Sequence, residues 1–177
     1  VEPEKVIRLL REAGKLKRLP RTGWVEAGIE NPESVADHSY RVALLSMLLS
    51  DQAGADTLKA LRVALLHDLA EAVTGDLTPR QKTGDHEAAE SRAFRSLVKG
   101  LPLEQRRLYV DAMDEYAAGT TEEAALVHAA DKLEMVLQAL EYGEAGARGL
   151  DQFLVVEVPA ECRGLYEKML EAASRPA

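Results

Sequence analysis

The sequence predicts an all-α fold, one globular bundle of about six to eight helices that takes in residues 1–177 as a single domain. Three observations lead there. Apolar residues recur at three- and four-residue spacings, as at Val35, Val42, Leu45 and Leu49. No segment longer than a few residues has the alternation of a strand; Phe153-Leu154-Val155-Val156 is the one exception, and it is short. Pro102 and Pro159 stand at or just before helix starts, and Gly100 and Gly119 stand at stops.

The elements follow in order. Residues 3–17 read as a first helix, with Pro3 at a permitted N-terminal position and Val6, Leu9, Leu10 and Leu16 on its apolar side. Its end is basic: Lys15, Lys17 and Arg18 either suit the helix dipole or join Arg21 in binding an anionic substrate. Residues 18–33 form a long non-helical stretch containing Pro20, Gly23, Trp24, Gly28 and Pro32. Trp24, the only tryptophan, either stacks on a nucleobase or pins the loop to the core. A second helix runs from Ser34 to about Asp51, opened by Ser34 and Asp37 in capping-box spacing. A third spans about 57–73 on Leu58, Leu61, Leu65, Leu69 and Ala72, and ends at Gly75-Asp76-Leu77-Thr78-Pro79. Residues 80–85 are polar. Further helices are expected at about 85–99, 103–118, 121–143 and 159–173, with His86 exposed near a helix start.

Composition narrows the function. Apolar residues at 46% can fill a substantial core, yet no apolar run is long enough to span a membrane. The start, Val-Glu-Pro-Glu-Lys, lacks the basic and apolar regions of a secretory signal. The single cysteine, Cys162, cannot form an internal disulfide, so a cytoplasmic setting is expected. A net charge of −8 argues against a general nucleic-acid binder, though not against a small anionic substrate held by a metal and a local basic cluster.

The chemistry concentrates in Leu65-Leu66-His67-Asp68-Leu69-Ala70-Glu71 and the following Gly75-Asp76. Three polar side chains in an apolar helical run each cost free energy to bury unpaired. On a helix His67, Asp68 and Glu71 share one flank. A divalent metal satisfies them together, with His nitrogen and Asp oxygen as ligands and Glu71 left for proton transfer. The plainer alternative is a buried histidine hydrogen-bonded to a carboxylate. His38 and Asp131 are likewise polar residues inside apolar helical runs. His128, one turn before Asp131, is the rival ligand, and Asp76 alone is also a plain turn residue.

The order His38, His67-Asp68, Asp131 is the ligand pattern of the HD-domain metal phosphohydrolases, and the chain resembles them. Lys17-Arg18-Leu19-Pro20-Arg21-Thr22-Gly23-Trp24, Pro32-Glu33-Ser34-Val35-Ala36-Asp37-His38 and Asp131-Lys132-Leu133-Glu134 bring the resemblance to the 5′-deoxynucleotidase branch. It runs over roughly residues 5–155. It implies one divalent transition metal (Mn, Co, Fe, Ni or Zn) on His38, His67, Asp68 and Asp131, with catalytic Glu71 and Asp76. It implies substrate contacts from Arg18, Arg21 and Trp24, a (deoxy)nucleoside 5′-monophosphate as substrate, and a homodimer. It does not require a histidine at His128.

Three rivals stand beside this. An HD hydrolase on a dNTP, a cyclic nucleotide or an alarmone is one; a two-metal version needs extra histidines, and only His86 and His128 are available. The second is a nucleotide-sensing module without turnover, against which both Glu71 and Asp76 argue. The third is a structural helical protein whose His and Asp form buried hydrogen-bond networks.

Overall fold

Pro3 opens the first helix, α1 (Pro3–Ala13), and Gly14 ends it. The expected helix to residue 17 instead tightens into a 3-10 turn over Gly14–Arg18, because glycine is a weak helix former. The computed structural model describes residues 2–173. Next comes α2 (Thr22–Glu26), then α3 (Val35–Ala53), α4 (Thr57–Leu66) and α5 (Glu71–Thr74). The chain continues through α6 (His86–Val98), α7 (Leu103–Ala118), α8 (Glu122–Glu144), α9 (Asp151–Leu154) and α10 (Ala160–Ala173). Among the described residues there is no strand, only an isolated antiparallel bridge between Pro20 and Ser34. The all-α expectation holds, and the long helices start and stop within a residue or two of the expected positions from residue 85 onward.

Local chemistry sets these boundaries. Ser34 and Asp37 form a full capping box: the Asp37 N–H donates to the Ser34 hydroxyl at 3.2 Å, and the Ser34 N–H donates to the Asp37 carboxylate at 2.9 Å. Asp56 caps α4 through the Lys59 N–H, and Thr121 caps α8 through the Ala124 N–H. Gly119, at φ 61°, supplies the left-handed residue that closes α7.

Four expectations need correction. Residues 22–26 are helical, because the carboxylate that caps α2 comes from a distant part of the chain: Thr22 N–H donates to Asp76. The third helix breaks at His67. The His67 ring donates to the Ala64 carbonyl at 2.7 Å, and the next residues turn through tighter bonds, Leu69 to Leu66 and Glu71 to Asp68, both 3.0 Å. Part of Phe153-Leu154-Val155-Val156 falls in the short α9 rather than a strand. His86 is buried, not exposed, with Nε2 2.8 Å from the Glu90 carboxylate one turn on.

The core gathers in three clusters. α3, α4, α7, α8 and α10 bury Val42, Leu49, Val63, Val127, Leu133 and Cys162 between them. Leu16, Val35, Leu69, Phe94 and Val98 form a second cluster, against which Leu9 of α1 and Ala72 of α5 pack. The third cluster forms around Trp24, with Ala139, Leu150, Tyr142 and Phe153. Trp24 is 1% exposed, its ring 4.3 Å from that of Phe153 and 5.3 Å, edge-on, from that of Tyr142. Truncating it leaves a large void that the neighbours fill only in part. Trp24→Ala is expected to cost about 3–5 kcal/mol of stability, read as a lower urea midpoint at unchanged slope.

Candidate metal centre

α3, the turn after α4, α5 and α8 each deliver one part of a polar cluster. The capping box fixes the entry of α3, and one turn later His38 lies fully buried against α8. Its Nδ1–H donates to the Glu134 carboxylate at 2.5 Å, which leaves the Nε2 lone pair pointing the other way. The turn after α4 supplies His67 and Asp68. Because the His67 Nδ1–H is spent on the Ala64 carbonyl, its Nε2 is also left with a free lone pair. His67 Nε2 lies 3.1 Å from Asp68 Oδ2, and His38 Nε2 lies 3.6 Å from the same oxygen. From α8, Asp131 Oδ1 comes within 3.1 Å of His38 Nε2.

These atoms crowd one point without satisfying each other. His38 Nε2, His67 Nε2, Asp68 Oδ2 and Glu71 Oε2 are buried and have no hydrogen-bond partner in the protein. The 3.1 Å approach of Asp131 to His38 lacks the alignment of a hydrogen bond. Orphaned buried polar atoms are rare and costly, and here they face each other. His38, His67 and Asp68 offer donor atoms all within 4.8 Å of one another. Two imidazoles and two carboxylates are the donor set of a divalent transition metal, so the residues present fit such an ion. The Asp131 side chain is 33% exposed, so the cluster opens toward solvent on the α8 side.

The electrostatics describe the same need for positive charge. Burial works to lower the His38 pKa, but the carboxylates of Asp131, 3.1 Å from Nε2, and Glu134, on Nδ1, overcome it and hold the ring at about 10. Burial likewise opposes charge on His67, yet Asp68 raises its pKa. Burial pushes against Asp68, but His67, His38 and Arg21 hold its carboxyl below the usual range. Both rings are biased toward their protonated forms in the metal-free protein, and a metal must displace any proton on the nitrogen it binds. Glu71 behaves oppositely: burial, reinforced by Asp68 and Asp76, pushes it up to about 9.

The remaining expected site residues divide. Arg21 reaches the cluster, with Nη1 3.8 Å from Asp68 Oδ2; burial works against its charge, but Asp68, Asp131, Asp76 and Glu71 keep it firmly protonated. Asp76 follows Gly75, whose φ of 81° lets the chain turn out of α5. Its Oδ2 accepts the Thr22 N–H at 2.5 Å and its carbonyl accepts the Thr22 hydroxyl at 2.7 Å. Asp76 thus locks the Arg21 segment to the turn beside Glu71. Arg18 is exposed and makes no ion pair with the cluster. Lys15 pairs with Glu12 at 2.6 Å. The expectation that Trp24 offers an open face to a nucleoside is corrected: both faces are covered in the core, and its indole N–H donates to Glu33 at 2.9 Å. A large apolar ring gains more from that burial than from a polar loop. His128 turns away from the cluster, donating from Nε2 to the Tyr116 carbonyl at 3.0 Å and stacking on the Tyr116 ring.

Sequence reasoning missed Glu134, Arg41 and Glu33. Glu134 carried a signal, a glutamate one turn beyond Asp131 in an apolar run, and it is 1% exposed. Arg41, one turn beyond His38, donates from Nε to Glu134 at 2.9 Å. Glu33 receives Trp24, its N–H donates to the Tyr142 hydroxyl at 2.8 Å, and its carbonyl accepts the Arg21 N–H at 3.1 Å. Neither Arg41 nor Glu33 has a local pattern that distinguishes it from a solvated charge.

A helical bundle with histidines and aspartates converging from separate helices defines a class, and comparison with known proteins names it. A family model described as an HD domain matches residues 13–158, and the chain belongs to that family. Among its curated relatives, the 5′-deoxynucleotidase HDDC2 of Mus musculus is 40% identical over 140 residues, covering 77% of this chain and 69% of its own. The protein of the same name from Dictyostelium discoideum is 43% identical over 138 residues, 73% of each chain. A solved structure, a conserved hypothetical protein from Pyrococcus furiosus, superposes with a TM-score of 0.80 at 41% identity over 93% of this chain and 99% of that one.

The raised Glu71 pKa gives a stability test in the metal-free protein. The folded chain keeps a proton on Glu71 that the unfolded chain releases above 4.5, so this group's contribution to stability falls as pH rises from 4.5 toward 9. Glutamine imitates the protonated acid at every pH. Glu71→Gln should therefore raise the Tm of chelator-treated protein at about pH 8.5 and leave it nearly unchanged at about pH 4.5, measured by calorimetry against wild type. A shift equal at both values would show that Glu71 ionises freely.

Proposed function

We propose that this chain is a metal-dependent phosphomonoesterase that hydrolyses deoxynucleoside 5′-monophosphates to nucleoside and phosphate. One observation carries the reading: orphaned nitrogen and oxygen atoms of His38, His67 and Asp68 face one point, with Asp131, Arg21 and Glu71 around it. The relatives that bear the name 5′-deoxynucleotidase, at 40% and 43% identity, supply the substrate class.

His38, His67, Asp68 and Asp131 hold the ion in this proposal. When bound, a divalent metal polarises a phosphoryl oxygen and acidifies water. The protein supplies the rest. Arg21, permanently charged beside the cluster, presents a planar fork of donors to the phosphate and offsets its charge. The surroundings hold a proton on Glu71, which it delivers to the departing 5′ oxygen of the nucleoside. That proton is transferred as the phosphorus–oxygen bond to the nucleoside breaks and the oxygen of a water molecule bonds to phosphorus in its place, so the nucleoside departs as a neutral alcohol and the water's oxygen stays in the phosphate. Asp76 works beside Glu71 and ties it, through Thr22, to the Arg21 segment; phosphate binding and proton delivery keep one geometry. Arg18, exposed in the turn that precedes Arg21, adds charge that draws in the anion.

No described helix is long and apolar enough to cross a membrane, and the lone cysteine is buried. Both fit a cytoplasmic nucleotide enzyme. We propose a homodimer as the working state, supported by Tyr40, Leu44 and Leu48, apolar side chains exposed at successive turns of α3.

The test is phosphate release after loading with Mn, Co, Fe, Ni or Zn. The panel holds deoxy- and ribonucleoside 5′-monophosphates, a dNTP, a cyclic nucleotide and an alarmone. Release from deoxynucleoside 5′-monophosphates is expected, and Glu71→Gln should lower kcat by about two to four orders of magnitude while metal affinity stays. Turnover of the other nucleotides alone would move the chain to a different HD activity. Metal and nucleotide binding without turnover would make it a sensing module.

A further inference from the structure

A polar seam runs between α3 and α8, through an interface otherwise closed by apolar side chains. α8 presents Asp131, Glu134, Gln138 and Glu141 at three- and four-residue spacings, which is one face of a helix. α3 answers with His38 and Arg41, one turn apart. The imidazole of His38 is gripped at one nitrogen and left without a hydrogen bond at the other. Nε2 faces the cluster with Asp131, and Nδ1 donates to Glu134 Oε2 at 2.5 Å.

Glu134 has both oxygens committed. Oε2 takes the His38 ring, and Oε1 takes Arg41, from Nε at 2.9 Å and from Nη2 at 2.7 Å. Arg41 is held in turn: its Nη1 donates to both oxygens of Glu141, at 2.9 and 2.8 Å, and its Nη2 donates to Gln138 at 2.8 Å. Every donor of the fork toward α8 thus has a partner. A carboxylate this buried is costly unless paired, so the arrangement is built rather than incidental.

We infer that Glu134, clamped by Arg41, is the positioning residue that makes His38 a metal ligand, by taking its Nδ1–H and so aiming the Nε2 lone pair at the cluster. Metal-bound histidines as a rule donate their second nitrogen to a carboxylate or carbonyl, which fixes tautomer and ring angle. In this chain the two histidines do so differently. His67 uses the backbone carbonyl of Ala64, which no side-chain substitution removes. His38 depends on a side chain, and that side chain depends on Arg41. The inference rests on the metal site proposed above.

The experiment measures affinity for zinc and cobalt by competition with a chromophoric chelator, in wild type, Glu134→Gln and Arg41→Lys. The Tm of each metal-free protein and the visible absorption of each cobalt-loaded one are read in parallel. Glu134→Gln is expected to bind metal about 10- to 100-fold more weakly, with an altered cobalt spectrum at saturation. Arg41→Lys keeps the charge but cannot hold Glu134 and Glu141 together, so its affinity should fall by less, in the same direction. If Glu134→Gln fails to fold, Arg41→Lys decides. Wild-type metal binding with both variants within about twofold and an unchanged spectrum would reduce the clamp to a helix–helix ion pair, whatever their Tm. A wild-type protein that binds neither metal would instead remove the metal site itself, and this inference with it.

Discussion

His38 sits at full burial with a carboxylate on either side of its ring, and a second histidine and an aspartate close in on the same point. Such a place exists in a folded protein only if something positive occupies its centre, because the atoms cannot satisfy one another. In the absence of metal, the neighbouring carboxylates bias both imidazoles toward protonation, raising their pKa values against the effect of burial. Much of the surrounding structure can be read as a way of holding this arrangement. α3 and α8 carry the opposing sides. The break after α4 brings His67 and Asp68 in from a third direction.

The break is what distinguishes the site from an ordinary helix face. A continuous helix through residue 73 would have used the Ala64 carbonyl for its own hydrogen bond. Giving that carbonyl to the His67 ring ends α4 and fixes the tautomer in one move. The polypeptide then turns through Gly75 to Asp76, which reaches across to cap α2. Arg21 stands at the N-cap of that helix, so its direction is set by a carboxylate far from it in sequence. Glu33 secures the other end of the segment through Trp24 and the Arg21 N–H.

Much of this was legible in the sequence, for reasons that differ by residue. The long helices were readable because their ends carry local chemistry: Ser34 with Asp37, Asp56, Thr121, Gly119. His67, Asp68 and Asp131 stood out because polar residues in apolar runs need a reason. The helix α2 was not readable, since its cap arrives from Asp76 and no local pattern reports it. Trp24 had two readings from its residues, a nucleobase contact or a pin to the core, and the family resemblance pointed to the first; Ala139, Leu150 and Phe153 from the far end of the chain enclose it and make it the second. Glu134 and Arg41 look like surface charges until α3 and α8 are laid together, and only that packing makes them a clamp.

The central claim is that four side chains bind one ion, and the direct measurement is anomalous diffraction at the absorption edge of the metal with which crystals are loaded. One peak is predicted, about 2.0–2.3 Å from His38 Nε2, His67 Nε2 and an oxygen of each of Asp68 and Asp131. A peak on the opposite side of His38, between Glu33 and Glu134, or no peak from crystals of metal-loaded, active protein, would contradict it.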